Sequence, residues 1–295
     1  MNRETLAAID IGSNAIRLLI EYVESNGAVA FKKAAFVRVP IRLGEDVFTD
    51  GEIGEEKRVK LCSAMKSFSS LMQTFNVKAY RACATSAMRE ARNGAEVVEM
   101  IRRESGVNIE IISGIEEAKT IFEAGDMGRF ISQDQNYIYV DVGGGSTEVT
   151  VYSGHRRVTS ESFPLGTVRM INSKDKVSLS EFKEWLERIA LPFKPVAIIG
   201  SGGNINKVHK LLSKRQGEAI KSLEMRALYD QIKPLSYEQR IKQFSLNTYR
   251  ADVIIPAMKI FLTAAKSCKI ESIIAPRIGL ADGIIHQLYG DYCKT

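Results

Sequence analysis

Short apolar runs in this chain alternate with longer stretches in which apolar residues recur at helical spacing. Residues 5–20 hold two apolar runs separated by a polar, glycine-containing turn, which predicts a β-hairpin. The helical spacing is fullest in residues 54–75, at Val59, Leu61, Cys62, Met65, Phe68, Leu71, Met72 and Phe75. Further helices are predicted over 86–105, 115–130, 179–190, 204–214 and 251–266. Strands that alternate with helices predict an α/β architecture.

The hairpin pattern occurs a second time in residues 137–152. Asp141 matches Asp10, and Glu148 stands where the first copy has Arg17, each pair being 131 residues apart. Two further strand–turn–helix units are paired in the same order, 78–87 with 195–204 and 108–118 with 272–283. The repeated order predicts a duplicated domain with a mixed sheet in each half.

Composition agrees with two folded domains. The chain has 295 residues, and one domain takes about 150. Hydrophobic residues make up 45% and charged residues 26% of the chain, which excludes a disordered or fibrous protein. The stretch Ser132–Asn136 is short, polar and free of apolar residues, so the predicted domains are 1–130 and 131–295. The terminal helix is expected to pack back on the first domain.

Charge and apolar content limit the classes of partner. No apolar run approaches the roughly 18 residues that span a bilayer, and the first residues lack a signal-peptide pattern, so we expect a cytoplasmic protein without membrane contact. The net charge of +6 permits a polyanionic ligand. No stacking platform or concentrated basic helix points to DNA. The cysteines, too scattered for a disulfide framework, are Cys62, Cys83, Cys268 and Cys293. A basic group on one predicted helix and its end comprises Lys207, Lys210, Lys214 and Arg215.

Both hairpin turns have the features of a phosphate-binding loop. In each, an aspartate ends the first strand and glycines follow, which lets backbone amides approach an anion. The candidate phosphate-binding residues are Asp10, Gly12, Ser13, Asn14 and Arg17 in the first loop and Gly143, Gly144, Gly145, Ser146 and Thr147 in the second. Asp141 and Glu148, on opposite arms of the second hairpin, are candidate ligands of Mg²⁺, which prefers hard carboxylate oxygens beside phosphate.

Six motifs follow one another along almost the whole chain. They are Asp10-Ile-Gly-Ser-Asn14 with Arg17, Thr85-Ser-Ala-Met-Arg-Glu-Ala-Arg-Asn93, Ile112-Ser-Gly-Ile-Glu-Glu-Ala118, Asp141-Val-Gly-Gly-Gly-Ser-Thr-Glu148, Pro164-Leu-Gly166 and Gly200-Ser-Gly-Gly203. In this order they resemble the exopolyphosphatase/guanosine pentaphosphate phosphohydrolase (Ppx/GppA) family. The resemblance implies a duplicated actin-like fold of two domains, ribonuclease H-like as in actin and the sugar kinases, with mixed sheets and an active site in the interdomain cleft.

The resemblance also implies roles for single residues. It places the catalytic base at Glu117, with its neighbour Glu116 as the weaker candidate, because a glutamate at a helix start can orient and deprotonate the attacking water. Arg89 and Asn93 are expected four residues apart on one helix face, both reaching a terminal phosphate. Supporting contacts with substrate are implied for Gly166, Ser201 and Gly202.

The family resemblance implies a Mg²⁺-dependent phosphoric anhydride hydrolase that acts on the end of inorganic polyphosphate, with guanosine pentaphosphate (pppGpp) as the alternative substrate. A nucleotide-binding regulator without turnover is a further alternative, opposed by the intact acidic set of Glu117, Asp141 and Glu148. An ATP-dependent kinase of the same fold is another. Ala281 and Asp282 depart from the family's Gly-Leu-Arg-Glu-Gly, so the role of that arginine is not carried over. We expect a short form of the family, without the helical C-terminal domains of longer members, and therefore activity on short polyphosphates or nucleotides. A homodimer is expected.

Overall fold

The computed structural model describes residues 2–26, 28–122, 124, 130, 132–174 and 177–292. The chain separates into two compact units. One unit is Met1–Gly125 together with Gly279–Thr295, and the other is Asp126–Ile278. The chain therefore returns to the first unit for its last residues. We predicted a boundary between residues 130 and 131, of which Ile131 lies outside the described residues.

The sheet of the first unit is mixed. Its strands are β1 (Asn2–Ile11), β2 (Ile16–Asn26), β3 (Ala28–Val39), β4 (Ala79–Ala84) and β5 (Ile109–Ile111). They lie in the order β3-β2-β1-β4-β5, with antiparallel pairing among the first three and parallel pairing from β1 to β4 and β5. Leu6, Ala7, Ala8 and Ile9 are all buried, as expected for a central strand with both faces covered.

The sheet of the second unit repeats this plan. Its strands are β6 (Asn136–Val142), β7 (Thr147–Ser153), β8 (Arg156–Phe163), β9 (Ala197–Ser201), β10 (Ile220–Lys221) and β11 (Ser272–Ile274). In the order β10-β11-β9-β6-β7-β8, the last five strands correspond to β5-β4-β1-β2-β3 of the first unit. The predicted duplication with mixed sheets is confirmed. The sequence pattern does not predict the strands β3, β8 and β10, because polar residues interrupt their apolar residues.

Twelve α-helices lie among the described residues. They are α1 (Leu43–Asp50), α2 (Glu55–Thr74), α3 (Ser86–Glu90), α4 (Gly94–Ser105), α5 (Gly114–Phe122), α6 (Arg169–Asn172), α7 (Ser180–Trp185), α8 (Gly203–Leu211), α9 (Ser222–Ile232), α10 (Tyr237–Phe244), α11 (Ile254–Ser267) and α12 (Leu280–Tyr292). The helix predicted over 54–75 is confirmed as α2. A π-helical turn, Leu186–Ala190, and a 3₁₀ turn, Leu191–Phe193, follow α7. Much of the predicted helix 115–130 beyond Phe122 lies outside the described residues.

Helices cover each sheet to form a separate core. In the first unit, α12 packs against β1, β2, β4 and α5. In the second, α11 is buried along most of its length and packs on β6, α8 and α9. None of the helices in the described ranges combines the length and apolar character needed to cross a membrane. Cys62, Cys83 and Cys268 are thiols, and Cys293 lies outside the described residues.

Candidate active site

In the first unit, a row of polar side chains crosses the sheet where β1 ends. The strand register places Asp10 beside Arg17 of β2, and Arg17 beside Arg38 of β3. Directly paired residues of neighbouring strands project from the same face, so these three side chains share one face. The Arg17 guanidinium donates to the carboxylate of Asp10, a residue that is 6% exposed. An arginine oriented by a buried carboxylate is a suitable donor for phosphate oxygens.

Cys83 of β4 continues this row on the other side of Asp10. Burial raises the pKa of its thiol to about 12. The thiol therefore stays protonated at neutral pH, and a protonated buried thiol is a poor nucleophile. Cys83 packs the sheet and takes no part in the candidate chemistry.

The turn between β1 and β2 is tied to the start of α1. The Gly12 N–H donates to the Ala15 carbonyl at 3.2 Å, which closes the turn. The Ser13 carbonyl accepts from the Gly44 N–H at 2.9 Å. The Asn14 carbonyl accepts from the backbone N–H before α1 at 3.1 Å. Backbone hydrogen bonds thus fix the conformation of the turn, and its binding of phosphate stays a prediction.

The equivalent row of the second unit carries two carboxylates. The register pairs Asp141 of β6 with Glu148 of β7, and Glu148 with Ser162 of β8. Asp141 is 6% exposed and Glu148 is 2% exposed. The Ser162 hydroxyl donates to Glu148 Oε1 at 2.9 Å, which orients that carboxylate. Two buried carboxylates on one sheet face form a donor set of hard oxygen atoms.

This donor set fits Mg²⁺ better than a transition metal. Within the described ranges, no three His, Cys, Asp or Glu side chains form a group that could hold a metal ion. Mg²⁺ is usually held by one or two carboxylates, and water and substrate phosphate complete its shell. Zinc sites in proteins use three or four protein ligands. Asp141 and Glu148 are of the kind and number of ligands that Mg²⁺ takes from a protein, and their role as metal ligands stays a prediction.

The turn between β6 and β7 has the same closure as its counterpart. The Gly143 N–H donates to the Ser146 carbonyl at 3.0 Å. Thr147 is fully buried, and its hydroxyl donates to the Leu165 carbonyl. The Gly144 carbonyl accepts from the Val168 N–H at 2.8 Å. The segment after β8 thus supports this loop from behind.

Gly166 allows that segment to approach the loop. A Cβ atom at this position would collide with the backbone of Gly144 and Gly145. Next to it, Nε of Arg169 donates to the Gly145 carbonyl at 2.6 Å. Close packing of two backbones explains the need for glycine at residue 166. Its contact with substrate stays a prediction.

Ser201 is the last residue of β9, and Gly202 joins this strand to α8. Ser201 is buried, and its hydroxyl donates to the Ile278 carbonyl at 3.2 Å. Gly202 has φ of 106°, a backbone conformation that favours glycine, and a Cβ there would lie 2.8 Å from the Val142 carbonyl oxygen. Gly202 thus lies against the end of β6, and the supporting contact of both residues with substrate stays a prediction.

Two adjacent glutamates, Glu116 and Glu117, occupy the first turn of α5. The Ser113 carbonyl accepts from the Glu117 N–H at 2.9 Å, and the Ser113 hydroxyl accepts from the Glu116 N–H at 3.1 Å. The Glu116 carboxylate accepts from Arg81 Nη2 at 2.9 Å. The bond from Arg81 ties Glu116 to β4, and both glutamates are half-buried. The role of Glu117 as the base stays a prediction.

Arg89 and Asn93 do not share a helix face, so that prediction is wrong. The backbone of Ala91 is extended, with φ of −67° and ψ of 127°, and it separates α3 from α4. Asn93 accepts from the Ile53 N–H and donates to the Ile53 carbonyl, both at 2.9 Å, which leaves its amide with a structural task. Arg89 Nη1 donates at 2.7 Å to the carbonyl of Ile112, close to the start of α5.

The basic residues on and after α8 have unequal surroundings. Lys210 is exposed. Lys207 donates to the Ser245 carbonyl at 3.1 Å, and burial, Arg250 and Lys210 lower its pKa. The ammonium of Lys214 lies 2.9 Å from each of two glutamates. In the predicted basic group, the positive charge of Lys214 is therefore neutralised by these two glutamates.

Sequence reasoning misses three residues that the structure places beside the candidate site residues. Arg38 and Ser162 enter through cross-strand register, and Arg81 enters through its bond to Glu116. None of them belongs to a motif. No local sequence pattern places Ser162 opposite Glu148, since that position depends on the pairing of β8 with β7.

Comparison with known proteins adds family relations to this geometry. The model of the "Ppx/GppA phosphatase family" matches residues 23–291. The "Guanosine-5'-triphosphate,3'-diphosphate pyrophosphatase" of Aeromonas hydrophila is 24% identical, and the match covers 98% of this chain and 60% of the relative. "Exopolyphosphatase 1" of Mycobacterium leprae is 23% identical, with 95% of this chain and 88% of the relative covered. The chain thus spans about 60% of the length of the Aeromonas relatives it matches.

Solved structures share the fold. The Ppx/GppA family member of Aquifex aeolicus superposes with a TM-score of 0.78 at 26% identity, covering 99% of each chain. An exopolyphosphatase from Cytophaga hutchinsonii gives a TM-score of 0.84 at 20% identity and covers 98% of each chain. The predicted actin-like, two-domain fold class is confirmed.

Proposed function

The chain belongs to the Ppx/GppA phosphatase family, and from that premise we propose that it hydrolyses the terminal phosphoanhydride bond of inorganic polyphosphate. One observation carries the proposal. Equivalent strands of the two units hold an arginine row at Asp10 and Arg17 and a buried two-carboxylate row at Asp141 and Glu148. An arginine guanidinium is a suitable donor for phosphate oxygens, and buried carboxylates are suitable ligands for the cation that accompanies phosphate.

The first loop and two arginines would bind the phosphates. Arg17 is oriented by Asp10, and its turn is held by backbone hydrogen bonds. The Arg89 guanidinium has five N–H groups in total, and the bond to the Ile112 carbonyl uses one of them. Arg89 would thus hold a phosphate oxygen while it fixes the backbone before α5.

Asp141 and Glu148 would hold the Mg²⁺ ion, which would neutralise charge on the phosphate oxygens. Ser162 keeps Glu148 oriented through its 2.9 Å hydrogen bond. The glycines of the second loop let backbone amides approach phosphate oxygens, and Gly166 supports that loop from behind.

Glu117 would orient the attacking water and accept its proton. The water oxygen forms a bond to the terminal phosphorus, and the bond from that phosphorus to the bridging oxygen breaks. The bridging oxygen keeps the electron pair and leaves on the shortened chain, and orthophosphate is the second product. Since a transition state of this type needs little covalent chemistry from the protein, positioning and charge account for most of the rate.

A second candidate function is hydrolysis of pppGpp. The observation that favours it is the match to the Aeromonas relatives named as guanosine-5'-triphosphate,3'-diphosphate pyrophosphatases. Both substrates end in a phosphoanhydride, so the same residues would serve. The expected homodimer and cytoplasmic location stay predictions.

The test is orthophosphate release from short polyphosphate, long polyphosphate and pppGpp by one preparation, with Glu117→Gln as the control. We expect the highest kcat/KM on polyphosphate. Orthophosphate release from pppGpp but from neither polyphosphate would contradict the proposed function and favour the second candidate, hydrolysis of pppGpp. Nucleotide binding without release from any of the three would favour a regulator, and transfer that requires ATP would favour a kinase.

A further inference from the structure

One arginine links the helix of Glu117 to two other elements of the first unit. Arg81 of β4 donates through Nη2 to Glu116 of α5 at 2.9 Å. The same guanidinium donates to Glu110 of β5 at 2.8 Å and to Gln287 of α12 at 3.1 Å. The Arg81 side chain is 21% exposed, so the packing around it restricts its conformations. Arg81 thus couples the sheet, α5 and α12.

The last turn of α5 is held by α12. Gln287 Nε2 donates to the hydroxyl of the buried Thr120 at 3.3 Å. A Cβ atom at Gly283 would collide with the Thr120 carbonyl, so the two helices approach to backbone contact. A helix of nine residues is therefore fixed near both ends, by Arg81 in its first turn and by α12 in its last.

We propose that Arg81 is a positioning residue for Glu117 that acts through Glu116 and, by way of Gln287, through α12. The inference rests on the proposed function, in which Glu117 is the base. Glu116 and Glu117 share one helical turn, so a shift of α5 after loss of the Arg81–Glu116 ion pair moves both carboxylates. A misplacement of about 1 Å can lower a rate about 100-fold, whereas a partly exposed ion pair contributes little to stability.

Glu116→Ala and Glu110→Ala form a matched pair of variants. Each removes one carboxylate from Arg81, but Glu110 lies on β5 and does not belong to α5. We expect Glu116→Ala to lower kcat for polyphosphate by about 10- to 100-fold with little change in KM, and Glu110→Ala to leave both nearly unchanged. Arg81→Lys should resemble Glu116→Ala, since an ammonium lacks the planar fork that reaches three acceptors. Equal effects of the two glutamate variants would overturn the proposal.

A double variant separates positioning from a general structural effect. In a Glu117→Gln background, Glu116→Ala should not lower the residual rate further, because the group that it positions is already absent. A further loss in that background would also overturn the proposal. If Glu117→Gln alone keeps wild-type activity, the base assignment of the proposed function fails, and the two failures are thus distinguishable.

Gln287→Ala keeps the proposal testable if Glu116→Ala does not fold. This variant removes the bonds of Gln287 to Thr120 and to Arg81, and it leaves the Arg81–Glu116 ion pair in place. We expect kcat to fall while KM and the melting temperature stay close to those of the wild type. An unchanged kcat would exclude α12 from positioning the base.

Discussion

Replacing Glu21 by glutamine should stabilise the folded chain at neutral pH. Glu21 lies on β2, which packs against α12, and it is 6% exposed. Burial and then the negative charge of Asp282, in the first turn of α12, raise its pKa from 4.5 to about 6, although Lys33 opposes this. Burial also raises the pKa of Asp282. Glu21 is therefore ionised at pH 7 in surroundings that favour its neutral form.

The sign and size of the effect follow from these two pKa values. Between pH 4.5 and about pH 6, the folded chain binds more protons at Glu21 than the unfolded chain does. The free energy of unfolding therefore falls as the pH rises through this range, by about 2 kcal/mol at pH 7. Glutamine keeps the shape without the charge. Glu21→Gln should regain up to about 2 kcal/mol, less the cost of burying an amide.

Unfolding by urea and by heat, measured near pH 7 and near pH 4.5, tests this reasoning. We expect Glu21→Gln to be more stable than the wild type at the higher pH, with the difference closing at the lower pH. Glu24→Gln is the matched control on the same strand. The hydrogen bond from Lys32 lowers the pKa of the Glu24 carboxyl, so loss of that carboxylate should slightly destabilise the chain at pH 7. A Glu21→Gln variant that is less stable at pH 7, or a difference that does not change with pH, would refute the argument.

Three further predictions concern ligands and packing. Asp141→Asn and Glu148→Gln should each raise the Mg²⁺ concentration for half-maximal activity, and unchanged Mg²⁺ titrations in both would leave these residues as strand-end acids. Lys210→Gln should reduce the rise of the polyphosphate KM with added KCl, whereas Lys214→Gln should not, because two glutamates already hold that ammonium. If KCl raises the polyphosphate KM equally in both variants, α8 does not contribute to polyphosphate binding. Gly166→Ala should lower the free energy of unfolding by about 1–3 kcal/mol, which a lower melting temperature would show. An unchanged melting temperature would show that the backbone of Gly144 and Gly145 shifts to make room for the methyl group.

The two hairpins can be predicted from sequence because the information is local. An apolar run, a glycine turn and a second apolar run fix the strands and their register, and the offset of 131 residues shows the duplication. The carboxylate pair of Asp141 and Glu148 follows from that register. Its partner Ser162 does not, since its place opposite Glu148 depends on the pairing of an edge strand.

The failures have physical reasons as well. Apolar spacing continues from residue 86 to residue 105, but Asn93 binds the backbone of Ile53 and the chain is extended at Ala91, so one predicted helix becomes two. That contact joins residues 40 positions apart, which no local pattern reveals. The same holds for Arg81 and Gln287, which are 206 positions apart.

The most direct test of the central claim is the rate of orthophosphate release from short polyphosphate by Glu117→Gln. If Glu117 is the base of a phosphohydrolase, the variant should lose about 10²- to 10⁴-fold in kcat while it still binds the substrate. Glu116→Gln, measured beside it, should lose less, because a glutamine oxygen can still accept from Arg81. A Glu117→Gln variant that keeps more than about a tenth of the wild-type rate would contradict the assignment of the base.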